Sequence, residues 1–239
     1  MAEKYQPEFV SRQAVDAGAT FDAGLRSHML KVYNYMTSGV LLTGIIALYV
    51  GNSPALLNTI FGSGLGIVVM LAPLGFVLGM SFGLNKMRAS TLQALFWGFA
   101  GLMGLSLSTI FVQYTDASIA RVFFVTAIMF ASLSLYGYTT KKSLSGWGTF
   151  LFMGLIGIII ASVVNMFMQS SAMQFIISVV GVLIFAGLTA YDTQKIKEMY
   201  YEADGTETAS KKAIMGALTL YLDFINMFLM MLRLFGNRN

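Results

Sequence analysis

The chain has 239 residues, 56% of them hydrophobic and only 11% charged, whereas a soluble domain is nearer a quarter charged and under half apolar; lipid must be its main solvent. The formal net charge is +4, but Lys and Arg are spread between apolar blocks rather than gathered on one face, so no nucleic-acid partner is expected. The absence of cysteine excludes thiolate catalysis, cysteine zinc sites and a disulfide framework.

Residues 1–30 are polar and mixed in charge (Glu3, Lys4, Glu8, Arg12, Asp16, Asp22, Arg26). They lack the short basic stretch, apolar core and small-residue cleavage site of a removable signal. We read them as a cytoplasmic tail, with the first span as the insertion signal and residues 31–239 as one transmembrane domain. Apolar blocks follow over Val32–Val50, Leu65–Leu84, Thr91–Gln113, Ala117–Tyr138, Trp147–Met168, Met173–Tyr191 and Ala213–Phe235. Each is long enough to cross about 30 Å of hydrocarbon at about 1.5 Å per residue. The runs are continuous rather than alternating, so the expected class is an all-α polytopic membrane protein with a seven-helix bundle, not a transmembrane barrel.

Twelve of the fifteen Lys and Arg residues fall in the tail and in the loops after spans two, four and six. The positive-inside rule then puts the N-terminus in the cytoplasm and the C-terminus outside. In span two, Gly75, Gly79 and Gly83 recur every fourth residue, a spacing that predicts close helix packing. Pro73 in the same span predicts a bend, because it removes one internal hydrogen bond.

Polar residues within the blocks mark where chemistry can occur. Ser106, Ser108, Thr109 and Gln113 on span three, and Ser132, Ser134 and Tyr136 on span four, are weak signals, because serine and threonine readily bond their own helix. Asn165 on span five is a stronger candidate, since a buried amide needs external partners. A carboxylate at the centre of a membrane helix costs about 2.5 to 3.5 kcal/mol on insertion scales, so a retained one faces a partner or a cavity. Asp223 is such a residue, about 15 Å along the last helix from Ala213, and Asn226 at i+3 shares its face. Asp192 ends span six, and Gly205 is the first strong breaker after it, so the helix is expected to run on past the lipid boundary. Asp192 is then either a solvated helix end beside Lys195 or a partner of Asp223 across antiparallel helices. In the second case the two carboxyl groups titrate as a unit. Asp223 itself is either the core of a site or a polar group that holds helices together.

Several activities lack their residues. His28, the only histidine, precedes span one, so a Ser-His-Asp triad or a zinc protease motif within the membrane has no base. No G-x-x-x-x-G-K-[ST] stretch is present for nucleotide phosphates. No lysine lies deep in the last span for a retinal Schiff base. We therefore expect a non-enzyme with no cofactor.

The segments Gly187-Leu188-Thr189-Ala190-Tyr191-Asp192-Thr193-Gln194-Lys195 and Gly216-Ala217-Leu218-Thr219-Leu220-Tyr221-Leu222-Asp223-Phe224-Ile225-Asn226, followed by Leu232-Arg233, resemble the Bax inhibitor-1 family. Gly104-Leu105-Ser106-Leu107-Ser108 and Ser134-Leu135-Tyr136-Gly137-Tyr138-Thr139-Thr140-Lys141 extend the likeness over nearly all of the chain after the tail, and it is strongest to the bacterial inner-membrane branch. The resemblance implies seven helices with the last one central, surrounded by the other six, and a pH-sensitive calcium leak governed by a di-aspartyl pair, here Asp192 and Asp223. It also implies a basic latch on one aspartate. The latching arginine of such proteins lines up near Lys86, with Arg88 two residues on, and the glutamate that some relatives carry in span two has no counterpart. Calcium takes six to eight oxygens and two carboxylates supply at most four, so water or backbone carbonyls complete any site at Asp192 and Asp223. The second reading is a non-transporting regulator of a membrane protease or another membrane partner, and the third is a proton-coupled transporter.

Overall fold

The computed structural model describes the backbone of residues 7–239 and the side chains of residues 22–239; the first six residues of the expected tail lie outside the described residues. The helices are α1 (Pro7–Gly51), α2 (Pro54–Phe61), α3 (Leu65–Gly83), α4 (Ala89–Leu107), α5 (Ile110–Gln113), α6 (Asp116–Thr139), α7 (Ser145–Met168), α8 (Ser171–Glu198) and α9 (Thr206–Phe235). No strand is present among the described residues. Among the described residues, seven helical segments are long and apolar enough to cross a membrane, and they match the seven apolar blocks, with Leu84 of the second block falling just past its helix. Large apolar side chains such as Phe82, Phe167 and Ile67 stand on the outer surface, which is stable only where hydrocarbon replaces water.

Two short helices depart from the block pattern. Ser53 caps α2 through a bond from the Leu56 amide, and Pro54 opens the helix, where its missing N–H is no loss. Span three, one continuous block in the sequence, breaks into α4 and α5. Ser108 Oγ donates to the Leu105 carbonyl at 2.7 Å, and the Ser108 amide also donates there at 3.3 Å. These i−3 bonds tighten the turn and interrupt the helical ladder.

The first span starts before its apolar block. Leu25, His28 and Met29 on α1 are buried, so His28 is not in a free tail but inside a helix, with its ring centroid 5.8 Å from that of Tyr200. The last span is the hub, the most buried of the seven. Its principal neighbours are α8, α1, α6 and α4, while α3 packs on α4 and α7 packs on α8. The last helix is thus central; four spans flank it directly, with α3 and α7 in an outer layer.

The close packing expected of Gly75 and Gly79 does not occur: a Cβ at either would meet nothing within 4 Å, and both are exposed. Pro73 is buried inside α3, which continues through it. The tight crossings are elsewhere. At Gly104 a Cβ would lie 2.8 Å from the Thr43 carbonyl oxygen, and at Gly137 it would collide with the Ala190 carbonyl. Glycine is required at both because a neighbouring backbone occupies the space.

Polar contacts fasten the two ends. Lys212 pairs with Asp204 at 2.5 Å and donates to the Met199 carbonyl at 2.9 Å, while Glu207 accepts from the Ala89 amide at 2.6 Å. These bonds fix the α8–α9 connection and tie it to the start of α4. At the opposite end, the Thr115 amide donates to the Asn237 carbonyl at 3.1 Å and the Asn239 amide to the Gln113 carbonyl at 3.1 Å.

Candidate functional site: a carboxyl pair between the last two helices

The site depends on where the chain turns back. The α8 helix continues past the apolar block to Glu198, short of Gly205, which instead caps the start of α9. Asp192 is therefore a helical residue more than a turn from the α8 terminus, and it is half-buried. The two helices run antiparallel in contact, with Gly216 facing Ile196 and Gly181 facing Met230. On that register Asp223 is level with Leu188 and Thr189, so Asp192 lies about 5 Å further along the axis, within side-chain reach.

The two carboxyl groups meet, side chain to side chain. Asp223 is only 5% exposed, and its Oδ2 has no hydrogen-bond partner. Two ionised carboxyl groups this close repel one another unless a proton or a cation lies between them. Lys195 is the charged neighbour of Asp192, although its ammonium group lies over the Tyr191 ring, 5.9 Å from the centroid. Asp192 thus has both partners named by the sequence alternatives as neighbours, Lys195 on its own helix and Asp223 on α9.

The other predicted residues stand apart from the pair. Lys86 and Arg88 are exposed in the α3–α4 connection. Among the described residues the ion pairs are Lys211–Glu207 and Lys212–Asp204, so neither basic candidate latches an aspartate here. Asn226 donates back to the Leu222 carbonyl of its own helix at 2.8 Å. Asn165 accepts from the Ser170 amide at 3.0 Å, so its amide shapes the α7–α8 turn rather than supporting the carboxyl pair. No third Asp, Glu, His or Cys joins the pair to make a metal-ligand cluster among the described residues.

Of the hydroxyl groups around α9, sequence reasoning marked only Ser134, as a weak signal. The Tyr221 hydroxyl, in a fully buried side chain two residues before Asp223, lies 2.7 Å from Thr43 Oγ1, which donates to the Ala100 carbonyl at 2.8 Å. With the Thr43 proton so used, Tyr221 donates, and one chain of bonds joins α9, α1 and α4. On the other side, Tyr33 and Ser134 hydroxyls lie 2.6 Å apart, and Ser134 lies 2.9 Å from Thr193, the neighbour of Asp192. A tyrosine in an apolar run gives little sign of this role, because the partner hydroxyls lie far away in sequence. Tyr221→Phe is expected to lower stability by about 1 kcal/mol, the scale of one interhelical hydrogen bond. Thermal unfolding in detergent checks this, and an unchanged midpoint would remove the bond from the account of how α9 is held.

Residues 25–239 match the family model described as "Inhibitor of apoptosis-promoting Bax1". The chain is 49% identical over 219 residues to the inner membrane protein YbhL of Escherichia coli strain K12, covering 90% of this chain and 94% of that one. It is 50% identical over 219 residues to protein RP147 of Rickettsia prowazekii, with 92% and 93% covered. It is 38% identical over 218 residues to protein YrjE of Lactococcus lactis, with 89% and 92% covered. With seven apolar helices, a central α9 and a match over nearly all its described length, this chain belongs to the Bax inhibitor-1 family of membrane proteins.

Proposed function

We propose that this protein is a proton-gated calcium leak of the bacterial inner membrane, oriented with the N-terminus in the cytoplasm, and that Asp192 and Asp223 are both its gate and its ion site. The observation that carries this reading is the Asp223 carboxyl group, buried at the hub of the bundle with Oδ2 unpartnered and in contact with Asp192. A carboxyl pair sharing a proton ties α8 to α9 in a closed arrangement. When the proton leaves, two like charges at contact distance repel by about 4 kcal/mol at an effective dielectric of 20. That repulsion is relieved by parting the helices or by a divalent cation between them. Protonation reverses both effects, so cation occupancy falls as the medium is acidified. Water and backbone carbonyls complete the calcium shell, because two carboxylates supply at most four of six to eight oxygens. The location in the inner membrane is supported by the likeness to YbhL and by the seven apolar helices.

The test is calcium entry into liposomes containing the purified protein, followed with a trapped indicator from acidic to mildly alkaline pH. Entry that exceeds protein-free liposomes and changes with pH is expected. Entry at the protein-free rate throughout would end the channel reading.

A further inference from the structure

The helices α1 and α6 each pack on α8 and α9 but leave a groove of about 850 Å³ between them. Its walls include Met29, Val40 and Phe130, and its floor includes Phe224, the residue after Asp223. Both walls belong to membrane spans, so the groove opens sideways into hydrocarbon rather than into water. The polar groups at its middle are already engaged: Tyr33 and Ser134 bond one another at 2.6 Å, and Ser134 bonds Thr193 at 2.9 Å. Water therefore finds few unmet partners in most of this space, whereas an apolar chain loses nothing by entering it.

Charge is confined to one end. Arg26 lines the groove at the end nearer the α8–α9 connection, and among the described residues it has no ion-pair partner. Tyr138 lines the same groove, carries the Lys197 ammonium group 5.5 Å from its ring centroid, and accepts from Lys197 through its carbonyl at 2.8 Å. No carboxylate lines the groove, and its far end, by Leu41 and Phe123, is wholly apolar. From Arg26 to Leu41 the wall runs about 22 Å along α1. Half of a bilayer, hydrocarbon plus headgroup layer, is about 20 to 22 Å thick.

We infer that the α1–α6 groove is a lipid-binding site that holds one anionic phospholipid of the leaflet on the α8–α9 side, its acyl chain against Phe130 and Phe224 and its phosphate at Arg26. One positively charged end, one apolar channel of leaflet length and a volume in the range of small-ligand sites together match such an amphiphile. The bound chain lies against Tyr33 and Ser134, whose hydroxyl chain reaches Thr193 beside Asp192. The site stands whether or not the carboxyl pair conducts calcium.

The experiment uses the full chain in phosphatidylcholine nanodiscs doped with phosphatidylglycerol or phosphatidylcholine carrying a photoactivatable acyl chain, with labelled peptides mapped by mass spectrometry. The phosphatidylglycerol probe is expected to label the groove faces of α1 and α6 above the exposed face of α7 around Phe150 and Ile160, and above the phosphatidylcholine probe. Ala131→Trp, which fills the groove, is expected to lower that labelling to the α7 level, and Ala127→Leu is the milder variant should the tryptophan prevent folding. Arg26→Gln is expected to lower the phosphatidylglycerol preference about fivefold, the effect of one basic residue at a membrane surface. Groove labelling no higher than on α7, or labelling indifferent to both filling variants, would overturn the site. Equal labelling by the two probes would overturn its anionic occupant.

Discussion

Asp192→Asn and Asp223→Asn are each expected to lower calcium entry into liposomes more than about tenfold at mildly alkaline pH and to flatten its pH dependence, with the double variant no worse than either single one. The attraction of a divalent ion to one carboxylate at about 4 Å is on the order of 8 kcal/mol at an effective dielectric of 20. Loss of a small part of that is enough for a tenfold change, which needs only about 1.4 kcal/mol. The effects overlap because the two groups touch, and residues in direct contact do not contribute independently. Either amide removes the repulsion between two anions, and with it the drive to part α8 from α9. Multiplicative losses in the double variant would mean two separate sites, and a wild-type pH profile in either single variant would remove the pair from the gate. Lys86→Gln and Arg88→Gln are expected to leave the profile unchanged, since both side chains are exposed in the α3–α4 connection.

Gly137→Ala is expected to destabilise the bundle by about 3 kcal/mol, the upper end of the range for overpacking a core, and Gly137→Leu to prevent α6 from docking. The added Cβ would collide with the carbonyl of Ala190, a backbone atom that cannot rotate away. Ala190 is two residues before Asp192, so a shift at this crossing also moves the carboxyl pair. The same change at Gly75 or Gly79, where a Cβ would meet nothing within 4 Å, is expected to alter stability by less than about 0.5 kcal/mol. Thermal unfolding of the three alanine variants in one detergent compares them directly. Equal midpoints for Gly137→Ala and Gly75→Ala would show that the α6–α8 crossing does not require glycine.

The wrong choice of glycines shows where reading along the chain stops. Spacing of four residues in α3 marks a stripe of small side chains but not which helix, if any, lies against it. In the bundle no other helix covers Gly75 or Gly79, Gly83 meets only Met87 of the following turn, and close approaches to a neighbouring helix's backbone fall at Gly104 and Gly137. The Tyr221–Thr43 bond is similar, because its partners are 178 residues apart. Lys86 and Arg88 enter the candidate site only through the family resemblance, and the bundle leaves both side chains exposed.

The amino-acid sequence by itself determined the seven spans, since apolar length against bilayer thickness is a local property. It also singled out Asp223, because one carboxyl group within an apolar run is anomalous without any knowledge of its neighbours. Only the tertiary structure decided that Asp192 reaches it. That contact depends on how far α8 continues beyond lipid, on the antiparallel register set by Gly216 against Ile196 and Gly181 against Met230, and on the direction of two short side chains. None of these follows from hydropathy, which scores each residue for its solvent and not for its partner.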